Sequence, residues 1–151
     1  MSRIISPDNF IDQITGIISP KKQVNHPFID LTVHKIYRMR SSGKVDFGGS
    51  EFEGCVTEPC LPVKQNPEDS YGWWDLHEGY FEIEYNESFT LSKNQIAIIQ
   101  PHIRLLKCGC LHPTLFITQI DNTFQMQIWV PKIGIKIKEN SRVSQLFIYE
   151  L

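Results

Sequence analysis

Apolar residues in this chain alternate with polar residues over short stretches, a pattern that fits a half-buried strand and not a helix. The clearest case is the run in which Ile133, Ile135 and Ile137 are separated by glycine and lysine, so that all three isoleucines share one face. Other short runs are rich in β-branched and aromatic residues and end at Gly, Pro, Asn or Ser. Together they predict strands at residues 28–37, 79–85, 95–99, 115–120, 124–130, 133–137 and 143–149.

Little helical sequence separates these strands, so we expect them to pair as antiparallel neighbours joined by turns. This predicts a mainly β fold, a distorted antiparallel barrel or jelly-roll. One short N-terminal helix is also predicted, because Ser6 is a favourable N-cap, Pro7 suits the first helical position and Asp8 complements the helix dipole. Gly16 is expected to end this helix after about Thr15.

The alternation weakens between residues 38 and 75, where glycine and serine clusters and scattered prolines replace it. We therefore expect a loop or hairpin insertion over this segment. A chain of 151 residues is typical of one domain and buries roughly two thirds of its unfolded surface. The prediction is a single domain over residues 1–151.

Composition excludes several classes of protein. With 41% hydrophobic and 21% charged residues, the chain has enough apolar material for a core. It has no apolar run long enough to span a bilayer, so no membrane partner is predicted. The formal net charge of −2 does not supply the basic surface that non-specific nucleic-acid binding requires. No secretory signal is recognisable at the N-terminus, which predicts a cytoplasmic location.

The four cysteines do not have the spacing of a structural zinc site. Four residues separate Cys55 from Cys60 and one residue separates Cys108 from Cys110, whereas zinc sites favour two residues between paired cysteines. His102 or His112 would have to complete such a site. The competing interpretation is that the cysteines are reduced and act as small apolar residues.

Asp121 is the only acidic residue between Ser88 and Lys138. If that half of the chain carries out acid-base chemistry, this carboxylate is the candidate general base. The structural alternative is a turn aspartate that caps a hairpin.

Five further side chains could take part in binding a ligand. Arg104, Lys107 and Arg142 offer cationic donors, although any one of them could equally be a solvated surface residue. Phe124 could stack on a ligand ring or belong to the core. Gln145 could donate and accept hydrogen bonds at a ligand or simply face solvent.

The order of four passages resembles the trimeric dUTPase and dCTP deaminase superfamily. The stretch from His26 to Val33 contains Asp-Leu at a strand start, and the stretch from Leu76 to Ile83 is similar to a deaminase passage. The Ile-Asp-x-x-Phe run of residues 120–124 resembles the Ile-Asp-x-x-Tyr motif of dUTPases. Arg-Val-Ser-Gln-Leu-Phe at residues 142–147 resembles the Arg-x-Ala-Gln-Leu pattern of the closing strand.

This resemblance implies a homotrimer with nucleotide sites between subunits. It implies that Phe124 stacks on the base and that Gln145 contacts the nucleotide edge, and that the phosphates are bound by Arg104, Lys107 and Arg142. It also implies that Asp121 positions the attacking water, that Asp30 is a structural acid, and that Mg²⁺ is needed if the protein acts on nucleoside triphosphates. The ion would bind mainly through the substrate phosphates, so no protein ligands for a metal are predicted.

Two departures from the family pattern bear on activity. Residues 102–107 read His-Ile-Arg-Leu-Leu-Lys, without the serine with which the family holds phosphates. Residues 125–130 read Gln-Met-Gln-Ile-Trp-Val, without the glutamate on which its deaminases rely. We therefore expect no deaminase activity.

Three hypotheses follow. The first is a dUTPase-like enzyme that hydrolyses a nucleoside triphosphate to a monophosphate and diphosphate. The second is an inactive trimer that binds a nucleotide or a partner in a regulatory role, and the third is a structural trimer with a vestigial site. The residues alone leave open whether the protein is an enzyme.

Overall fold

The computed structural model describes residues 1–118 and 125–151. In chain order these residues form twelve strands, β1 (Arg3–Ile4), β2 (Ile14–Thr15), β3 (Ile29–Met39), β4 (Thr57–Cys60), β5 (Trp73–Leu76), β6 (Gly79–Tyr85), β7 (Ser88–Phe89), β8 (Gln95–Pro101), β9 (Leu115–Ile117), β10 (Gln125–Val130), β11 (Ile135–Lys138) and β12 (Arg142–Glu150). Two single-turn α-helices, α1 (Pro20–Gln23) and α2 (Ile103–Lys107), interrupt them.

Eight of these strands form one curled antiparallel sheet with the order β10-β6-β3-β12-β8-β9, to which β1 adds on β12 and β4 adds on β3. Two smaller pairs, β11 with β5 and β2 with β7, lie outside this path. The mainly β prediction is confirmed. Strand β12 lies between β3 and β8, so its backbone is paired on both edges.

Alternation of side chains along the strands builds the core. On β6, Phe81, Ile83 and Tyr85 are buried while the residues between them are more exposed. On β12, Leu146 and Ile148 are buried in the same way. Burying one face of each curled strand removes a continuous apolar surface from water, the main favourable term in folding.

The predicted strand at residues 79–85 agrees with β6, and those at 28–37, 95–99 and 143–149 are each longer in the structure. The predicted strand at 133–137 is correct only from Ile135, because Gly134 has φ +74° and its N–H donates to Pro131 O at 2.8 Å in a turn. Ile133 is consequently exposed. The ends of the strands predicted at 115–120 and 124–130 fall partly outside the described residues.

The predicted N-terminal helix is wrong. Residues 7–13 form two 3₁₀ turns, Pro7–Asn9 and Ile11–Gln13, separated at Phe10, whose side chain is buried. Ser6 does not cap a helix, and its hydroxyl lies 3.2 Å from His26 Nδ1. Burial of Phe10 outweighs the capping preference, and the chain then enters β2.

The segment of residues 38–75 contains an antiparallel hairpin and further strand. Strand β4 pairs with β3 from Ile36 opposite Cys60 to Met39 opposite Thr57. Beyond it, ion pairs join Arg40 to Glu58 and Lys44 to Glu53. Both pairs are exposed, so each contributes little stability.

Among residues 1–118 and 125–151, no helix is long and apolar enough to cross a lipid bilayer.

Gly16 provides a test of this architecture. Its φ of +84° is unfavourable for other residues, and a Cβ there would lie 2.1 Å from Asn86 O. We expect Gly16→Ala to lower the free energy of unfolding by at least about 2 kcal/mol, measured by urea denaturation. Gly48→Ala is the control, because a Cβ there meets no atom within 4 Å. Equal stability of the two variants would contradict the close approach of Gly16 to Asn86.

Candidate functional site

Two of the predicted phosphate-binding residues, Arg104 and Arg142, line one cavity of about 450 Å³. Arg104 comes from α2 and Arg142 from the first position of β12. The cavity wall also includes apolar residues of α2, β11 and β12, namely Leu105, Ile135, Ile137 and Val143. The fold thus brings together two arginines that are distant in sequence.

Two lysines complete a cationic lining. Lys22 from α1 and Lys136 from β11 line the same cavity as Arg104 and Arg142. No Asp or Glu of the described residues is part of this lining. A partly enclosed space with four cationic side chains attracts anions, and phosphate is the common biological anion that Lys and Arg both bind.

Asp30 fixes the position of Arg142. Its side chain is 1% exposed, and its Oδ2 accepts hydrogen bonds from Arg142 Nη1 at 3.2 Å and from Asn25 Nδ2 at 3.3 Å. The same arginine nitrogen donates to Lys22 O at 3.1 Å. Burial raises the pKa of Asp30, and the nearby His102 and Arg142 oppose this shift. Asp30 therefore has the structural role that the family resemblance implies.

His102 caps the turn of α2 that carries Arg104. Its Nδ1 accepts a hydrogen bond from the Arg104 backbone N–H at 3.1 Å, which caps α2. Its Nε2 lies 3.7 Å from Asp30 Oδ1, an oxygen with no hydrogen-bond partner among the described residues. Burial lowers the pKa of His102. A neutral ring that accepts at Nδ1 carries its proton at Nε2, facing the carboxylate.

The buried carboxylate of Glu87 accepts hydrogen bonds from two residues that line the cavity. Its Oε1 accepts from Gln23 Nε2 at 2.7 Å and from Thr32 Oγ1 at 2.5 Å, and its Oε2 accepts from Thr32 N at 2.9 Å. Gln23 and Thr32 both line the cavity. Burial raises the pKa of Glu87, although the Thr32 and Gln23 hydrogen bonds act in the opposite direction.

The contacts of Gln23 extend this support to the cavity rim. Its Oε1 accepts from the backbone N–H groups of Ile18 at 2.8 Å and Ser19 at 2.9 Å. Both residues line the cavity. Glu87 therefore holds, through one glutamine, the strand that carries Thr32 and the loop that enters α1.

A second buried network fixes β12 beyond the cavity. The hydroxyl of Ser144, 0% exposed, lies 2.6 Å from Tyr85 Oη and 2.9 Å from His112 Nε2. Burial raises the pKa of Tyr85 and lowers that of His112. These contacts fix Ser144, the residue next to Gln145, in the middle of the sheet.

The other predicted site residues lie elsewhere or outside the described residues. Lys107 is exposed on α2 and does not line the cavity. Gln145 is half-buried on β12, and its Oε1 accepts from Gln100 Nε2 at 3.0 Å. Asp121 and Phe124 belong to residues 119–124, which lie outside the described residues, so their predicted roles stay predictions.

Residues that the sequence did not indicate complete the site: Lys22, Gln23, Thr32, Glu87 and Lys136. The alternation around Lys136 predicted a solvent-facing side chain but not what lies beside it. Gln23 and Glu87 are 64 positions apart, and nothing in a single sequence links them.

The described residues do not form a metal centre. No group of three or more His, Cys, Asp or Glu among them could hold a metal ion. All four cysteines are unbonded; Cys110 is buried and donates to Trp129 O at 3.1 Å, whereas Cys108 is exposed. The interpretation of the cysteines as buried apolar residues is correct for Cys110 and wrong for Cys108.

We compared the chain with known protein families, sequences and structures. No protein-family model matches the chain. A probable deoxyuridine 5'-triphosphate nucleotidohydrolase from Methanosarcina mazei is 28% identical, with 91% of this chain and 78% of the relative covered. A protein of the same description from Archaeoglobus fulgidus is 26% identical, with 91% and 79% covered.

Among solved structures, the 2'-deoxycytidine 5'-triphosphate deaminase from Agrobacterium tumefaciens has the same fold, with a TM-score of 0.70 at 17% identity. The match covers 99% of this chain and 49% of the deaminase chain, so this chain spans about half the deaminase's length. These similarities support the resemblance to the dUTPase and dCTP deaminase superfamily that the motif order predicts.

The raised pKa of Glu87 predicts a pH-dependent stability. Because its native pKa lies above the unfolded value, the native state binds the proton more tightly than the unfolded state. The associated stability is fully present below the unfolded pKa and is lost as the pH rises through the native pKa. Relative to Glu87→Gln, the wild type should lose about 1.4 kcal/mol for each unit of pKa difference.

Urea unfolding from pH 4 to pH 8 measures this difference. Asp30 and the other titrating groups are common to both proteins and cancel to first order. Glu78, an exposed glutamate, gives the matched control, and Glu78→Gln should run parallel to the wild type at every pH. A pH-independent difference between wild type and Glu87→Gln would contradict the raised pKa.

Proposed function

We propose that this protein binds a deoxyribonucleoside triphosphate with its phosphates in the cationic cavity and hydrolyses it to a monophosphate and diphosphate. The observation that carries the proposal is the cavity itself, which is lined by four cationic residues and by no Asp or Glu of the described residues. The curated relatives described as probable deoxyuridine 5'-triphosphate nucleotidohydrolases support dUTP as the first substrate to test.

The chemistry needs a nucleophile, a base and charge stabilisation. In the proposed step, water attacks the α-phosphorus, the bond from this phosphorus to the oxygen bridging to the β-phosphorus breaks, and diphosphate leaves. Asp121 is proposed to take the proton of the attacking water. Arg104 and Arg142 are proposed to stabilise the negative charge on the phosphoryl oxygens. Asp30 holds the side chain of Arg142, and His102 caps the turn of α2 that carries Arg104.

We propose that Mg²⁺ binds together with the substrate. The described residues do not fit a resident ion, because no suitable cluster of ligands lies among them. Mg²⁺ binds nucleotides mainly through phosphate oxygens and keeps several waters. The substrate would therefore be the magnesium complex of the triphosphate, and the cavity cations would contact the remaining phosphate oxygens.

The nucleoside end is proposed to contact Phe124 and Gln145. Gln145 does not line the cavity within one chain, which fits a site completed by a neighbouring subunit. We accordingly propose a homotrimer. Exposed apolar side chains could form the contact between subunits: Ile103 is 54%, Leu106 is 40% and Phe116 is 70% exposed. Lys107, which lies beside Leu106 on α2, is proposed to contact a phosphate across that interface.

Asp121→Asn tests the proposed base. The substitution is isosteric and removes only the proton acceptor, so we expect diphosphate release from dUTP with Mg²⁺ to fall by about 10²- to 10⁴-fold. The thermal transition should stay within a few degrees of the wild type. Released diphosphate is measured with a coupled assay, with dCTP as a second substrate and ammonia as a second product.

The outcomes separate the hypotheses. Diphosphate from wild type, and little from Asp121→Asn, supports the hydrolase. Ammonia from dCTP would instead identify a deaminase. A nucleotide-dependent thermal shift without any product would identify an inactive nucleotide-binding protein and overturn the proposal.

The oligomeric state is predicted separately. Light scattering after size exclusion should give three times the 17.5 kDa mass of the chain. Phe116→Glu places a charge on the exposed apolar surface and should shift this mass towards that of the monomer, whereas Tyr71→Glu, an exposed residue of the 38–75 segment, should not. A monomeric wild type with full activity would contradict the shared site.

A further inference from the structure

Lys22 and Lys136 distinguish this cavity from a site built only on the family-like motifs. Neither residue lies in the four passages that resemble the superfamily, yet both line the cavity beside Arg104 and Arg142. We propose that these two lysines bind the β- and γ-phosphates of the nucleotide, so that the site selects its ligands by the number of phosphates. This inference rests on the proposed function for the placement of the nucleoside.

The charges in the cavity are not balanced within the described residues. Arg142 is paired with Asp30. The side chains of Lys22, Arg104 and Lys136 form no ion pair with any described carboxylate. A nucleoside monophosphate carries about two negative charges, and each added phosphate brings about one more. The excess positive charge therefore favours a triphosphate over a monophosphate.

The backbone near both lysines is well positioned. On β11, the neighbours Ile135 and Ile137 are buried, which sets Lys136 on the opposite face. Asp75 is its cross-strand partner but forms no ion pair with it. On α1, the carbonyl of Lys22 accepts from Arg142 Nη1. Little backbone ordering is thus needed when an anion binds.

The lysines also account for a departure from the family pattern. The chain lacks the phosphate-holding serine in residues 102–107. A hydroxyl donates one hydrogen bond, whereas an ammonium group donates three and adds a full charge. Two lysines from other elements supply the donors that the missing serine would give, and they make binding more sensitive to charge and ionic strength.

The test compares two double variants that remove the same charge. Lys22→Ala/Lys136→Ala removes the cavity lysines, and Lys21→Ala/Lys132→Ala removes exposed lysines that do not line the cavity. Calorimetric titration uses three probes: a dUTP analogue with an imido bridge between the α- and β-phosphates, dUMP, and inorganic tripolyphosphate. Matching thermal transitions establish that all proteins are folded.

We expect the cavity double variant to bind the dUTP analogue and tripolyphosphate about 100-fold more weakly than the wild type, roughly tenfold per lysine. Its affinity for dUMP should change less than about threefold, because Arg104 and Arg142 remain. The control double variant should resemble the wild type with every probe.

Each result bears on one proposal. If the wild type binds the analogue and both double variants bind it equally well, the lysine inference is wrong and the proposed function stands. If tripolyphosphate binds in a lysine-dependent way but neither nucleotide binds, the anion site stands and the proposed function is wrong. An equal loss for dUMP and the analogue would overturn selection by phosphate number.

Discussion

The carboxylate of Glu87 is the constraint on which the cavity depends. Three donors from Gln23 and Thr32 converge on it in a buried setting. Without that acceptor these donors would be unsatisfied, which costs about 1–3 kcal/mol for each group. The same contacts join β3, the loop before α1 and the start of β7. One acid thus fixes α1, which carries Lys22, against β3, which carries Thr32.

Asp30 plays a parallel role for the charged wall. It lies on β3 opposite Gln145 of β12, and it holds Arg142 while His102 faces its other oxygen. A buried carboxylate with one unpartnered oxygen is costly by itself, and the surrounding cations offset that cost. The arginine is consequently held in a fixed direction by a partner that does not line the cavity.

Sequence reasoning was sufficient where local pattern decides structure. The alternation at Ile135 and Ile137 correctly placed β11. Arg104 and Arg142, predicted as cationic donors, line one cavity, whereas Lys107, predicted with them, does not. Sequence reasoning failed where tertiary contacts decide: burial of Phe10 replaced the expected helix by 3₁₀ turns, and α2 has an uncommon histidine cap. Asp121 is the lone acid between Ser88 and Lys138 and was therefore the predicted site carboxylate. Glu87, one residue before that interval, was not predicted because its partners are distant in sequence.

The elements that line the cavity differ in how firmly the rest of the fold holds them. Strand β12 is paired on both sides, so its exposure requires disruption of the main sheet, whereas α1 is a single turn attached through Gln23 and one arginine contact. Amide protons of β12 should therefore exchange with solvent at rates set by global unfolding, and those of α1 much sooner. A small local displacement at the α1 edge would thus widen the cavity while β12 keeps its geometry.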